Sequence, residues 1–265
     1  MSGAMYDSLK GKVALVTGAS AGVGQGCALR LAEEGVRVVM IDIDEKGGKE
    51  TLSKIQDKGG QAVFQLADVS KVQHCRMAVQ KTVDEYGGLD ILLNNAGIFP
   101  RAALEETTEE FWDNMLGINL KGPFFLCKHA VPIMRRRGGG SIINTGSVHG
   151  LGGESRLVAY AVSKGGLLTM TKNLAVALAK DKIRVNYMIP GWVLSATERR
   201  IRKEMGQDEK WLEDKEPHLP MGRYQTPQDS ANLVAFLASD DSAMITGCVI
   251  NVDAGHSVRC IGADE

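Results

Sequence analysis

The sequence predicts an α/β domain in which parallel strands are joined by crossover helices, and three observations predict it. Short β-branched runs alternate with longer stretches of helical period along the whole chain, the pattern of repeated strand–helix–strand units. The first unit is joined by a glycine-rich turn, Gly18 to Gly24, a form in which a strand passes into a helix. The 265 residues are 44% hydrophobic and 24% charged, enough to bury one sizeable core without a linker between two halves.

Strands are expected at Val13 to Thr17, Arg37 to Asp42, Ala62 to Leu66, Ile91 to Asn94, Ser141 to Thr145, Arg184 to Met188 and Val249 to Val252. Helical segments are expected near 23–34, 45–58, 71–86, 108–136, 159–180 and 227–238. Thr107 to Glu110 fits a capping box, and Thr226, Pro227 and Asp229 combine an N-cap, a first-turn proline and an acidic third position. Arg135, Arg136 and Arg137 before three glycines form the ordinary stop signal of a helix rather than a nucleic-acid patch. Residues 1–8 read as a flexible N-terminal segment and 9–265 as one domain.

Charge excludes several functions. Thirty-one basic residues against 32 acidic ones leave no field for nucleic acid or anionic lipid. Cys27, Cys75, Cys127, Cys248 and Cys260 are odd in number and scattered, which fits reduced thiols in the cytoplasm, most of them small apolar core residues. The longest apolar helical stretch is interrupted by Lys164 and Lys172, so the chain reads as neither exported nor membrane-spanning. The five histidines show no metal-ligand spacing.

The first crossover carries a ligand signal. Strand Val13 to Thr17 runs into Gly18-Ala-Ser20-Ala21-Gly22-Val23-Gly24 and then a helix, so backbone N–H groups and a positive helix end converge on a phosphate site. The glycines stand where a Cβ would block the turn, a pyrophosphate or the approach of helix to sheet. Alone, such a turn is only a tight loop. The second strand, however, ends in Asp42, a carboxylate able to accept both ribose hydroxyls of an adenosine and to repel a 2′-phosphate. Ala21 and Ile43 supply no cation for that phosphate, so the cofactor is expected to be NAD rather than NADP. Asp42 also fits the N-cap of the following helix.

A second signal joins Ser147, Tyr160 and Lys164. Tyr160 and Lys164 stand four apart, one helical turn on the same face. A free phenol is about 0.1% ionised at pH 7, and each unit by which a nearby cation lowers its pKa is worth about 1.4 kcal/mol. By itself the spacing also fits an exposed helical face.

These residues do not stand alone. TGASAGVG at 17–24, Asp68 after the third strand, NNAG at 94–97, Asn119, Ser147, YAVSK at 160–164, PG at 190–191 and INVDAG at 250–255 occur in order. Together they resemble the short-chain dehydrogenases/reductases from end to end. The resemblance implies a single Rossmann-type domain with a doubly wound, seven-stranded parallel sheet, helices on both faces, and a homotetramer or homodimer. It implies that Ser147 holds the substrate oxygen and that Tyr160 exchanges the proton while hydride passes to or from the nicotinamide. Lys164 would lower the Tyr160 pKa and hold the nicotinamide ribose, and Asn119 would anchor a water that relays protons through the lysine. Beside Gly117 and Gly122, Asn119 reads equally as a helix-kinking polar residue.

By the same resemblance Asp68 and Val69 would meet adenine, Asn95 and Gly97 the adenosine ribose region, and Val193 the nicotinamide carboxamide. Ser195 stands where the family often has threonine, with Thr197 two further on, and the segment from about 191 to 222 would be a lid over the substrate. His149, Glu154 and Arg156 are expected to border the site, with Phe99, Arg101 and Trp192 as the opposite wall. The substrate expected is a small alcohol or ketone: a polyol, sugar or hydroxy acid. A 3-oxoacyl thioester reductase is the alternative, and a dinucleotide-sensing protein without catalysis is the alternative from another class.

Overall fold

The structure, a computed structural model, describes residues 5–258. Seven strands form one parallel sheet: β1 (Val13–Thr17), β2 (Arg37–Asp42), β3 (Ala62–Leu66), β4 (Ile91–Asn94), β5 (Gly140–Thr145), β6 (Ile183–Pro190) and β7 (Val249–Val252). Their order is β3-β2-β1-β4-β5-β6-β7, so the winding reverses between β1 and β4, where open sheets leave a crevice at the strands' carboxyl ends.

Alternation along each strand builds two core layers. Ala14, Val16, Val38, Met40, Ile91 and Leu93 face one side. There they meet α1 (Gly22–Glu33), α2 (Glu45–Asp57) and α9 (Pro227–Ala238). Leu15, Val39, Ile41, Leu92 and Ile142 face the other, against α3 (Val72–Tyr86), α5 (Gly122–Arg137) and α6 (Val158–Leu178). A strand buried on both faces shows an apolar run instead of alternation, which is why β1 reads VALVT with every residue buried. Cys27, Cys75 and Cys127 lie in these layers, Cys248 is exposed, and Cys260 is outside the described residues. No helix among the described residues is long and apolar enough to cross a membrane.

Three expectations need correcting. Of the flexible segment over 1–8, residues 1–4 are outside the described residues, and the rest is tied down. The Met5 and Tyr6 N–H groups donate to Glu34 at 2.7 and 2.9 Å, and Glu34 also pairs with buried Arg30 at 2.6 Å. The helix over 108–136 is three pieces: α4 (Glu109–Leu116), a π-helical turn (Gly117–Lys121) and α5. The Asn119 side chain bonds both the N–H (2.9 Å) and C=O (2.8 Å) of Ile98, and one wide turn, closed by Gly122 N–H to Gly117 C=O, accommodates that reach. Finally, α4 is capped by the Thr108 hydroxyl, which accepts from Phe111 N–H at 3.2 Å, whereas Thr107 turns back to Ala103 C=O. The expected box at α9 is present: Thr226 N–H donates to the Asp229 carboxylate at 2.8 Å.

Beyond β6 the chain forms α7 (Ala196–Glu204) and α8 (Glu209–Lys215). These carry a small core of their own, Leu212, Leu219 and Tyr224 packed with Trp192, Leu194 and Trp211.

Candidate active site

A cleft of about 780 Å³ opens at the carboxyl ends of the strands. Its floor begins at the glycine turn. Gly18 has φ +66°, and a Cβ there would stand 2.9 Å from the Ala96 backbone; a Cβ on Gly24 would collide with the Gly18 carbonyl. Glycine is therefore what lets β1, α1 and the β4 loop close together. Ala21 gives α1 no side-chain cap, which leaves first-turn N–H groups for an anion. Gly18, Ala21, Gly22 and Val23 line the cleft, whereas Ser20 and Gly24 sit behind it. Ser20 instead fastens the turn: its N–H donates to Asp42 at 3.0 Å and its hydroxyl to Asp44 C=O at 2.8 Å.

Asp42 and Ile43 form one rim, followed by Asp68 and Val69. The N-cap of α2 is Asp44, which accepts from Gly47 N–H at 3.1 Å, so Asp42 is left to bind across the turn and at the rim. Against the upward push of burial, hydrogen bonds from Ser70 hold the Asp68 carboxyl below the usual range. Asn95 lines the cleft while its amide braces Thr17 C=O at 3.1 Å and Gly18 C=O at 3.2 Å. This pre-shaped cradle, with a carboxylate at its rim, fits a dinucleotide.

The reactive groups stand at the ends of β4, β5 and α6. Ser147 follows β5, and its main-chain N–H donates to the Tyr187 hydroxyl at 3.1 Å. That hydroxyl donates in turn to Lys164 C=O at 3.1 Å, which locks the β5 loop to α6. Tyr160 is half-buried, with the Phe99 ring 6.3 Å away on one side and the His149 ring 6.1 Å away on the other, both edge-on. Burial pushes the Tyr160 phenol up, and a hydrogen bond with Ser147 opposes the shift. Lys164 is buried, its ammonium donates to Thr145 C=O at 2.8 Å and lies 5.8 Å from the Tyr160 ring centre. Burial lowers its pKa to about 8. Desolvation is thus the dominant influence on the phenol, and the Lys164 ammonium is turned to a strand carbonyl.

Asn119 is wholly buried and does not line the cleft. Its amide is spent on Ile98 and on the Ser163 hydroxyl at 3.2 Å. Gly97 lies between it and Lys164: a Cβ on Gly97 would be 3.3 Å from Asn119 Oδ1 and 3.6 Å from Lys164 Nζ.

Val193 and Ser195 line the cleft from the lid side. The Ser195 hydroxyl caps α7 by accepting from Glu198 N–H at 3.1 Å, and a Cβ on Gly22 would lie 3.6 Å from Ser195 Cβ, so the segment expected to form a lid starts against the glycine turn. Phe99, Arg101 and His149 line the cleft as expected, but Trp192 does not. It packs 5.9 Å from Trp211 and 5.1 Å from Tyr224 and donates to Glu198 at 2.9 Å. Glu154 and Arg156 also lie off the lining; Glu154 meets Arg101 at 3.5 Å and Arg156 meets Glu106 at 3.3 Å.

Thr145, Asn114, Glu198 and Arg202 line the cleft without having been singled out. Thr145 was marked only by ending the strand before Ser147. Glu198 and Arg202, four apart in α7 and paired at 2.6 Å, have the spacing of any solvated helical pair. A half-buried phenol beside a serine hydroxyl and a lysine, near a phosphate turn, can move one proton to or from an oxygen held between Ser147 and Tyr160.

The chain is similar to known proteins over nearly its whole length. The family model described as enoyl-(acyl carrier protein) reductase matches residues 18–257. An uncharacterized oxidoreductase of Thermotoga maritima is 42% identical over 94% of this chain and 99% of its own length. The 3-oxoacyl-[acyl-carrier-protein] reductase of the same organism is 36% identical over 93% and 98%. The solved structure of levodione reductase superposes with a TM-score of 0.89 at 30% identity, covering 95% of this chain and 99% of that one.

Proposed function

The chain belongs to the short-chain dehydrogenase/reductase family, and from that premise we propose that it moves hydride between NAD and the carbinol carbon of a small hydroxylated alcohol, a polyol, sugar or hydroxy acid. The observation that carries the reading is the convergence of Ser147, Tyr160 and Lys164 on the cleft that begins at the glycine turn.

Gly18 to Val23 would hold the pyrophosphate, Asp42 the adenosine ribose, Asp68 and Val69 the adenine, and Asn95 and Gly97 the region between. Val193 and Ser195 would meet the nicotinamide end, with Tyr160 and Lys164 at its ribose. When bound, the dinucleotide supplies the hydride acceptor or donor. Ser147 fixes the substrate oxygen, and Tyr160 takes its proton in oxidation or returns it in reduction. Lys164 keeps a positive charge near that exchange below about pH 8. Asn119 positions the Ile98 loop and Lys164 side of the site, and a proton relay would run past it. The cleft's cations, Arg101, Lys164 and Arg202, come from neither β2 nor the glycine turn, which supports NAD over its 2′-phosphorylated form.

A 3-oxoacyl thioester reductase is the second reading, favoured by the relative of that name and disfavoured by Asp42, since that chemistry normally draws on NADPH. A homotetramer or homodimer in the cytoplasm is part of the proposal. Phe124 on α5 and Val162 and Val176 on α6 are exposed apolar side chains that a second copy would cover.

The test is NADH absorbance with a panel of polyols, sugars, hydroxy acids and 3-hydroxyacyl thioesters. NAD is expected to be reduced at least tenfold faster than NADP; equal use defeats the Asp42 argument. Tyr160→Phe is expected to abolish turnover while NADH binding persists, and an active variant defeats the mechanism.

A further inference from the structure

Building on that dehydrogenase reading, we infer that the substrate carries a carboxylate and that Arg101 is the residue that selects it. Two features of the cleft wall lead there.

The first is a carboxylate held between two side chains of the cleft wall. Arg101 follows Phe99 by two residues, and His149 flanks Tyr160 on its other side. Both reach toward Glu154: Arg101 Nε lies 3.5 Å from one carboxylate oxygen and His149 Nε2 lies 3.9 Å from the other. A charge-assisted bond of good geometry is about 2.7–2.9 Å long, so these contacts are loose. Arg101 and Glu154 are each about a third exposed, and such pairs are worth about 1 kcal/mol or less. Glu154 does not line the cleft, while Arg101 and His149 do. The two nitrogen-bearing side chains are therefore arranged around a carboxylate that a better-placed one can displace.

The second feature is an unspent guanidinium fork. The Arg101 terminal N–H groups find only the Met205 sulfur at 3.7 Å among the described residues, a weak acceptor. The cleft's other arginine differs: Arg202 holds Glu198 at 2.6 Å and Gln207 at 3.0 Å. Elsewhere the same chain shows what a satisfied fork looks like, Arg223 gripping Asp229 at 2.8 and 2.9 Å. A planar fork facing a cleft matches a carboxylate bidentately. A polyol hydroxyl offers a single uncharged oxygen, which cannot meet both arms of the fork in parallel. A hydroxy acid or sugar acid would place its carboxylate on Arg101 while its secondary hydroxyl reaches Ser147 and Tyr160.

The test is calorimetric titration of the enzyme–NADH complex, in which an alcohol binds without reacting. Matched pairs differ only in the anionic group: 3-hydroxybutyrate against 1,3-butanediol, and gluconate against glucitol. In at least one pair the acid is expected to bind at least tenfold more tightly than its neutral partner. That ratio is expected to fall below about twofold in Arg101→Leu and to survive in part in Arg101→Lys. Glu154→Gln is expected to tighten acid binding several-fold by removing the competing carboxylate, which loss of a structural contact would not do. Equal binding in both pairs, or a preference that persists in Arg101→Leu, overturns the inference. NADH absorbance recorded with NAD in parallel separates the two readings. Acid-selective binding without hydride transfer refutes the dehydrogenase alone, and NAD reduction by glucitol with no acid preference refutes the carboxylate alone.

Discussion

At the residue scale, Lys164 shows what the site costs the fold. Its buried ammonium has a pKa of about 8 against 10.5 for the free side chain. The folded chain therefore binds fewer protons than the unfolded chain between pH 8 and 10.5, so stability rises with pH across that window. Below it, the depressed value corresponds to about 3 kcal/mol lost in holding a charge out of water. Lys164→Met removes the charge and also leaves Thr145 C=O without its donor, a loss of about 1 kcal/mol. The variant is expected to be more stable at pH 7 by about 2 kcal/mol in urea unfolding, to lack the alkaline rise, and to have no turnover. A variant less stable at pH 7 would show that the ammonium is better solvated than its burial implies.

At the element scale, the π-turn at Gly117–Lys121 ties a helix to the site. Asn119 satisfies the N–H and C=O of half-buried Ile98, and a polar group left unpaired costs about 1–3 kcal/mol when fully buried, less where water reaches it. Asn119→Ala is accordingly expected to lower unfolding free energy by about 2–4 kcal/mol at unchanged m-value. It should also slow turnover through the Gly97 and Phe99 loop, with kcat falling more than substrate binding. This element marks the limit of what the sequence discloses. The seven strands are local β-branched runs and the phosphate turn is a local glycine pattern, so both are legible along the chain. The π-turn is set by a bond spanning 21 residues inside a stretch whose period is helical throughout. Trp192, expected on the cleft wall, is misplaced for the same reason: only folding brings Trp211 and Tyr224 to it. Arg202 reads as a surface charge until α7 is seen to face the cleft.

At the scale of the whole molecule, the segment proposed as a lid is built differently from the sheet domain. The body is held by two continuous apolar layers on the sheet. The lid rests on a small core of its own around Leu212, Leu219 and Tyr224, and α7 buries no residue completely. Segments with few buried apolar contacts open at lower free energy than the global transition. Trypsin is expected to cut first within 195–222, where Arg199, Arg200, Lys203, Lys210 and Lys215 lie on α7 and α8, leaving the sheet domain intact. Trp192→Ala is expected to speed that cut at least tenfold. A tryptophan in a main core would cost about 3–5 kcal/mol on truncation, but Trp192 belongs to the lid, so the global urea midpoint should shift by much less. If trypsin attacks first at Arg135 to Arg137, or if Trp192→Ala lowers the global transition by the full core amount, lid and body unfold as one unit.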